Sequence, residues 1–381
     1  MWLVAAALAA YLPLLGIPLR GWLDFSAFYA AGSLAFTPGV MDLAAVVRWQ
    51  AESGLPITPF PYPATVALAY APLALLPYGV AAALHVAIMF GVLLLAVRLG
   101  ADLLGIPQRW AMLGTLAWAP AAAGVISGQN TPLALLLVTL AATGLVRVRS
   151  GLTGLAIGIL AYKPQLVAPQ LGFLALRGRW LALLVALGAI GVHYALGVVA
   201  TGGDTGWPAR WLATISQYTA ADHLANGWQS VSLPSVGTRV ELTLGIGGAT
   251  LAGRIAAAVI VVACIPGLRR LPPLPAVALA AAAGLVISPH AWVYDATMLL
   301  PAIGIFFRRS MERGLPWQDR WTLAAAYAVA LTWPLGGLAG GTPLVVIVVA
   351  TPFVLLREFP AQRASAAGMR GATVGALPFG Q

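Results

Sequence analysis

Residues 79–98 read GVAAALHVAIMFGVLLLAVR, with no Asp, Glu, Lys or Arg before Arg98. Twenty residues at the helical rise reach about 30 Å, the thickness of a bilayer's hydrocarbon core. Similar runs recur from one end of the chain to the other. Of the 381 residues, 60% are hydrophobic and only 8% charged, against about 25% charged in a soluble globular chain. The runs are continuous and do not alternate in hydrophobicity, which excludes a transmembrane barrel. The expectation is an all-α, polytopic integral membrane protein.

The charges orient it. Basic residues gather in short loops between apolar runs: Arg98 with Arg109, Arg147 with Arg149, Arg177 with Arg179, Arg269 with Arg270, then Arg308, Arg309, Arg313 and Arg320, and finally Arg357, Arg363 and Arg370. Asp24, Asp42, Glu52, Asp204, Asp222, Glu241 and Asp295 fall in the intervening segments. The positive-inside rule then places both termini in the cytoplasm and requires about twelve transmembrane helices. These lie near 1–19, 79–98, 110–126, 131–147, 151–162, 164–176, 181–200, 251–268, 274–288, 292–307, 320–335 and 342–356. The same placement of charge explains the net +10 without nucleic acid. Segment 1–19 lacks a basic leader and a small-residue cleavage site, so it reads as a retained first helix. Segment 63–77, bracketed by prolines, reads as re-entrant or surface-lying, because a crossing there would put Arg98 and Arg109 on the wrong side.

Residues 1–359 therefore form one transmembrane domain with two outer loops, 20–62 and 201–250, and residues 360–381 form a cytoplasmic, disordered tail. The lone Cys264 excludes an intrachain disulfide and reads as packing. Neither a nucleotide-binding glycine loop nor a helical metal motif is apparent, so no metal and no cofactor are expected.

Polar residues from distant segments collect on the outer side. Asp24 stands alone among aromatic residues where the first helix leaves the bilayer, and it reads as a catalytic base. Others are Tyr62 in the Phe60-Pro61-Tyr62-Pro63 turn, Ser127-Gly128-Gln129-Asn130, Lys163-Pro164-Gln165, and the stretch Ser288-Pro289-His290-Ala291-Trp292-Val293-Tyr294-Asp295. An ionisable group near hydrocarbon is paired, hydrated or functional. Lys163, the one lysine in the chain, can hold a phosphate as a point charge, or can snorkel from a helix end. His290 can bond a phosphate oxygen, move a proton, or serve as a structural partner. Gln129 and Asn130 can bind sugar hydroxyls, or cap the helix beginning at Thr131-Pro132. Tyr62, Trp292 and the other loop aromatics suit the lipid–water interface or stacking on a sugar or isoprenoid.

In order and spacing these elements resemble the GT-C type membrane glycosyltransferases, and most nearly glycosyltransferase family 87. The shared pieces are Asp24-Phe25 with Tyr29-Ala30-Ala31-Gly32, Phe60-Pro61-Tyr62-Pro63 with Ala71-Pro72 to Pro77, Gly128-Gln129-Asn130, Lys163-Pro164 with Arg177-Gly178-Arg179-Trp180, and Ser288-Pro289-His290-Ala291-Trp292. Where members often have two prolines after the tyrosine, this chain has Pro63-Ala64. The resemblance implies inverting transfer of a sugar, mannose by default, from a polyprenyl-phosphate donor to a glycolipid, glycan or protein acceptor. It places the site on the outer face of the cell membrane. Asp24 would be the general base, and Lys163 and His290 would bind the donor phosphate. Tyr29, Tyr62, Gln129, Asn130, Gln165 and Trp292 would contact substrate. A transporter or lipid flippase, and a non-catalytic membrane scaffold, are the rival readings.

Overall fold

The computed structural model of the protein describes residues 23–332 and 341–359. The expected first helix at 1–19 and the tail at 360–381 lie outside the described residues. Among the described residues the chain is helical, with one isolated β-bridge, Ser230 to Trp292, and no strand. Loop 20–62 carries α1 (Leu23–Ser33) and α2 (Leu43–Glu52), and segment 63–77 holds the six-residue α3 (Thr65–Tyr70) and a 3-10 turn. The long α4 follows (Tyr78–Leu104), then α5 (Gln108–Ala117), α6 (Ala119–Ile126), α7 (Thr131–Val146), α8 (Ser150–Ile159), α9 (Pro164–Leu176) and α10 (Trp180–Ala200). Loop 201–250 is itself largely helical, as α11 (Trp207–Asn226) and α12 (Leu233–Leu244). The remainder is α13 (Ala249–Arg270), α14 (Pro273–Ile287), a 3-10 helix at Val293–Leu299, α15 (Leu300–Glu312), α16 (Trp317–Ala330) and α17 (Thr342–Glu358).

Three of these, α4, α10 and α13, are long and apolar enough to cross a membrane, with mean hydropathies of 2.6, 2.1 and 2.1. Shorter apolar helices, α7, α8 with its 3-10 extension, and α14, accompany them. Several expected boundaries shift: the run 292–307 opens as the 3-10 helix and its α-helix spans Leu300–Glu312, and the run 320–335 becomes Trp317–Ala330. The run 110–126 is not one span: Trp118 adopts an extended backbone and Pro120 starts a new helix at its second position, where a missing N–H costs nothing. Helix α4 continues past Arg98 to Leu104 and stops where Gly105 takes a left-handed conformation (φ 62°), the usual glycine helix stop.

Helix α14 is the centre. Every residue from Pro275 to Val286 is buried, the pattern of a helix apolar on all sides and surrounded by others. It packs against α7, α9, α13 and α17. Small residues bring neighbouring helices close: a side chain at Gly154 or Gly158 of α8 would collide with Ala182, Val185 or Ala189 of α10. Such small-residue contacts suit helices whose surroundings are lipid.

The basic loops converge at one end. The Arg177 guanidinium donates to the carbonyls of Leu268 and Leu271, Arg308 donates to that of Gly105 at 2.9 Å, and Arg313 pairs with Asp319 and Glu358. Helices α9 and α14 run between that end and the turns at Lys163 and Ser288. The turns carrying the candidate functional residues therefore share the opposite end.

Candidate active site

At that end lies a cavity of about 760 Å³, within the range of small-molecule sites. Asp24, in the first turn of α1, forms part of its wall. Helix α1 is fixed by stacked rings: Phe28 lies 4.6 Å from Tyr70 and Phe25 lies 5.0 Å from His85, centroid to centroid. His85 in turn reaches the Gly128 carbonyl through Nε2 at 2.9 Å. Gly128 has φ +82°, and an added Cβ would stand 2.7 Å from that of Phe25. Only glycine allows this turn to press against α1, and the pressing brings the Ser127 and Gln129 side chains onto the Asp24 carboxylate as hydrogen-bond donors. The Tyr62 hydroxyl donates to Gln129 Oε1 at 2.9 Å, which leaves the amide nitrogen of Gln129 for Asp24. Burial pushes the Asp24 carboxyl up from 3.8 to about 6, the two hydrogen bonds acting in the opposite direction and the charges of Asp222 and Asp295 adding to the rise.

Across the cavity, Lys163 has a partner. Its Nζ lies 2.8 Å from Asp295 Oδ1 and 3.2 Å from Thr131 Oγ1, with the lysine side chain only 3% exposed. The other oxygen of Asp295 accepts from the Trp292 backbone N–H at 3.1 Å. A buried ammonium needs such neutralisation. The outward point charge expected at Lys163 is thus half of a buried ion pair. His290 Nδ1 lies 3.4 Å from Asp222 Oδ2, while Asp222 Oδ1 accepts from Asn226 at 2.7 Å. The ring rests on Trp292, centroids 4.4 Å apart, and edge-on to Tyr218. Burial lowers the His290 proton affinity, and Asp222 partly restores it.

Of the residues expected at the site, Asp24, Tyr62, Gln129, Lys163, Gln165, His290 and Trp292 line this one cavity. Tyr29 and Asn130 do not. The Tyr29 hydroxyl donates to the Leu76 carbonyl at 2.7 Å and its ring packs on Trp49 and Tyr78. Asn130 is buried beside Tyr70 at the start of α7, with no side-chain bond to the helix it precedes. The cavity also recruits Asp295, which belongs to the polar stretch expected on this side, and Trp211 and Tyr218, two of the loop aromatics, while Asp222 and Asn226 are additions. Asp24, alone in its own stretch of sequence, has company in space, since three carboxylates line the cavity against one ammonium. Among the described residues, however, no group of three His, Cys, Asp or Glu side chains is placed to hold a metal ion.

The family model of glycosyltransferase family 87 matches residues 60–289, more than half of the chain. The chain belongs to glycosyltransferase family 87. It is accordingly a glycosyltransferase, and its apolar helices make it a membrane protein. The matched stretch of this family 87 member includes Tyr62, Gln129, Lys163 and Asp222 and ends one residue before His290, while Asp24 precedes it. No curated protein and no solved structure matches the chain.

Proposed function

We propose that this family 87 enzyme transfers a sugar, mannose in the first instance, from a polyprenyl-phosphate donor to a hydroxyl on a glycolipid, glycan or protein, with inversion at the anomeric carbon. The observation that carries the reading is the position of Asp24, held by Ser127 and Gln129 in the wall of a cavity whose other side is built from Lys163 and His290. As the acceptor oxygen bonds to the anomeric carbon, its proton passes to the Asp24 carboxylate. The bond from carbon to phosphate oxygen breaks with its electron pair, leaving polyprenyl phosphate. A positioned general base typically contributes about 10²–10⁴-fold.

The leaving phosphate gains negative charge, which donors aimed at it stabilise. Lys163 has three N–H donors, two of them engaged by Asp295 and Thr131, so one remains for the phosphate. Because Nδ1 of His290 faces Asp222, Nε2 is its donor toward the ligand, and it donates only when the ring is protonated. Tyr62, Gln129, Gln165 and Trp292 supply polar and aromatic contact for sugar and isoprenoid. A lipid-linked donor suits a cavity at the end of a membrane bundle. The basic clusters at the far end of the bundle support an outward-facing site in the cell membrane, with the termini in the cytoplasm.

The test is transfer from radiolabelled polyprenyl-phosphate-mannose by the full-length protein in membranes, beside Asp24→Asn. Labelled product from the wild type alone is the expected result. Equal transfer by a folded variant would remove Asp24 from the mechanism, and no transfer from any polyprenyl-linked sugar would remove the donor class.

A further inference from the structure

A second cavity, of about 530 Å³, lies among α4, α5, α7, α14, α15 and α16. No residue lines both this cavity and the first, so the two are separate sites. Along α15 its lining runs from Leu300 to Met311, about 16 Å at the helical rise, toward the end where the arginines gather. The wall is mainly aliphatic and aromatic; of its three hydroxyl-bearing residues, Thr115, Thr139 and Tyr327, the last two turn their hydroxyls onto the carbonyls of Leu135 and Gly114. Water finds no purchase in such a space; hydrocarbon does.

Arg320 is the charged residue in the lining among the described residues, and it is exposed. Its Nε donates to the Leu315 carbonyl at 2.7 Å, which orients the guanidinium without neutralising it. The arginines nearby differ: Arg308 and Arg309 pair with Glu312, and Arg313 pairs with Asp319 and Glu358. Trp110, half-exposed in the same lining, carries the Arg109 guanidinium 5.7 Å from its ring centroid. An apolar slot of chain length, ending at a guanidinium with no acidic partner among the described residues and set among interfacial aromatic and basic groups, is complementary to one kind of molecule.

We propose that this cavity binds an anionic glycerophospholipid, with one acyl chain between α4 and α15 and the phosphate on Arg320. Basic pockets between helices on the cytoplasmic side are suited to anionic headgroups, and guanidinium to phosphate. The site does not depend on the sugar or the donor assigned above.

Native mass spectrometry of the full-length protein in mild detergent tests it, using phosphatidylglycerol and phosphatidylcholine of identical acyl chains. The wild type should retain phosphatidylglycerol about fivefold more, the equivalent of roughly 1 kcal/mol for one basic residue at an anionic headgroup. Arg320→Gln, on an exposed side chain, should abolish that preference while leaving chain binding. Ala324→Trp, at an exposed alanine of the same lining, should fill the slot and remove both lipids, with an unchanged melting temperature reporting an intact fold. Equal retention of the two lipids by the wild type, or wild-type retention by both variants, would overturn the proposal. So would a lipid-free dimer that Ala324→Trp abolishes, which would make the face a contact between copies.

Discussion

Replacing Asp24 by Asn should remove transfer and at the same time stabilise the protein. The Asp24 carboxyl is raised from 3.8 to about 6, chiefly by burial. A carboxylic acid whose folded value lies above its unfolded value binds its proton more tightly when folded. Its contribution is therefore most favourable below about 4, declines as pH rises toward 6, and stays at its least favourable above that. A rise of about two units corresponds to roughly 3 kcal/mol held against the folded state at neutral pH. Asn, neutral and nearly isosteric, escapes that cost. At pH 7.5 the Asn variant should melt roughly 5 °C higher than the wild type in detergent, and at pH 4 the two should converge. Transfer by the wild type should show an acidic limb centred near 6, falling about tenfold per unit below it, since the base must be ionised. Stability and activity would then oppose each other at one residue, as at many active sites. An Asn variant that retains transfer refutes the role of Asp24. A variant that melts at or below the wild type at both pH values refutes the description of a charge held at a cost.

Three further outcomes follow from the same geometry. Asp295→Asn leaves the Lys163 ammonium buried without its counter-charge, and should cost about 3–5 kcal/mol. Adding Lys163→Met should recover much of the lost melting temperature but none of the transfer; additive losses in the double variant would show that the pair is not coupled. Asp222→Asn should lower kcat/KM for the donor about tenfold or more, with kcat falling too, because His290 loses the carboxylate that favours its protonated form, the form that stabilises the leaving phosphate. As protonation is lost with rising pH, the variant's kcat/KM should begin to fall at a lower pH than that of the wild type, and parallel profiles would refute the coupling. Gly128→Ala, forced to hold φ near +82° with its Cβ against Phe25, should cost about 1–3 kcal/mol. By loosening Ser127 and Gln129 from Asp24, it should also move the acidic limb of the pH–rate profile upward; an unmoved limb would show that those hydrogen bonds do not tune the base.

Much of the site was legible because its pieces sit in marked turns. Glycine or proline accompanies Gln129, Lys163 and His290, and the basic clusters assigned all of these turns to one end before any helix was placed. Partners were harder. Asp295 lies five residues beyond His290, yet the lysine it neutralises is 132 residues away, and nothing local announces the pairing. Asp222 sat in a loop that read only as aromatic and polar; its 20-residue helix is what carries it to His290. Tyr29 entered by the resemblance alone: five positions past Asp24 put it about 140° round the helix, and its hydroxyl goes to Leu76. The break at Trp118 was also visible in principle, because Pro120 cannot sit inside a continuous helix without loss.

The ion pair of Lys163 with Asp295 also bears on how the protein is made. Asp295 follows Lys163 by 132 residues, so at about 5–20 residues per second the ribosome delivers the acid roughly 7–26 s after the base. Throughout that interval the ammonium at the head of α9 has no counter-ion, and the stable position for it is the aqueous surface, its methylenes along the helix. Helix α14, around which α7 and α9 close, emerges in the same late window. Early helices must therefore wait, loosely gathered, for a C-terminal segment that both fills their centre and discharges their lysine. Biogenesis is consequently most exposed to truncation and to quality control until residue 295 has left the ribosome.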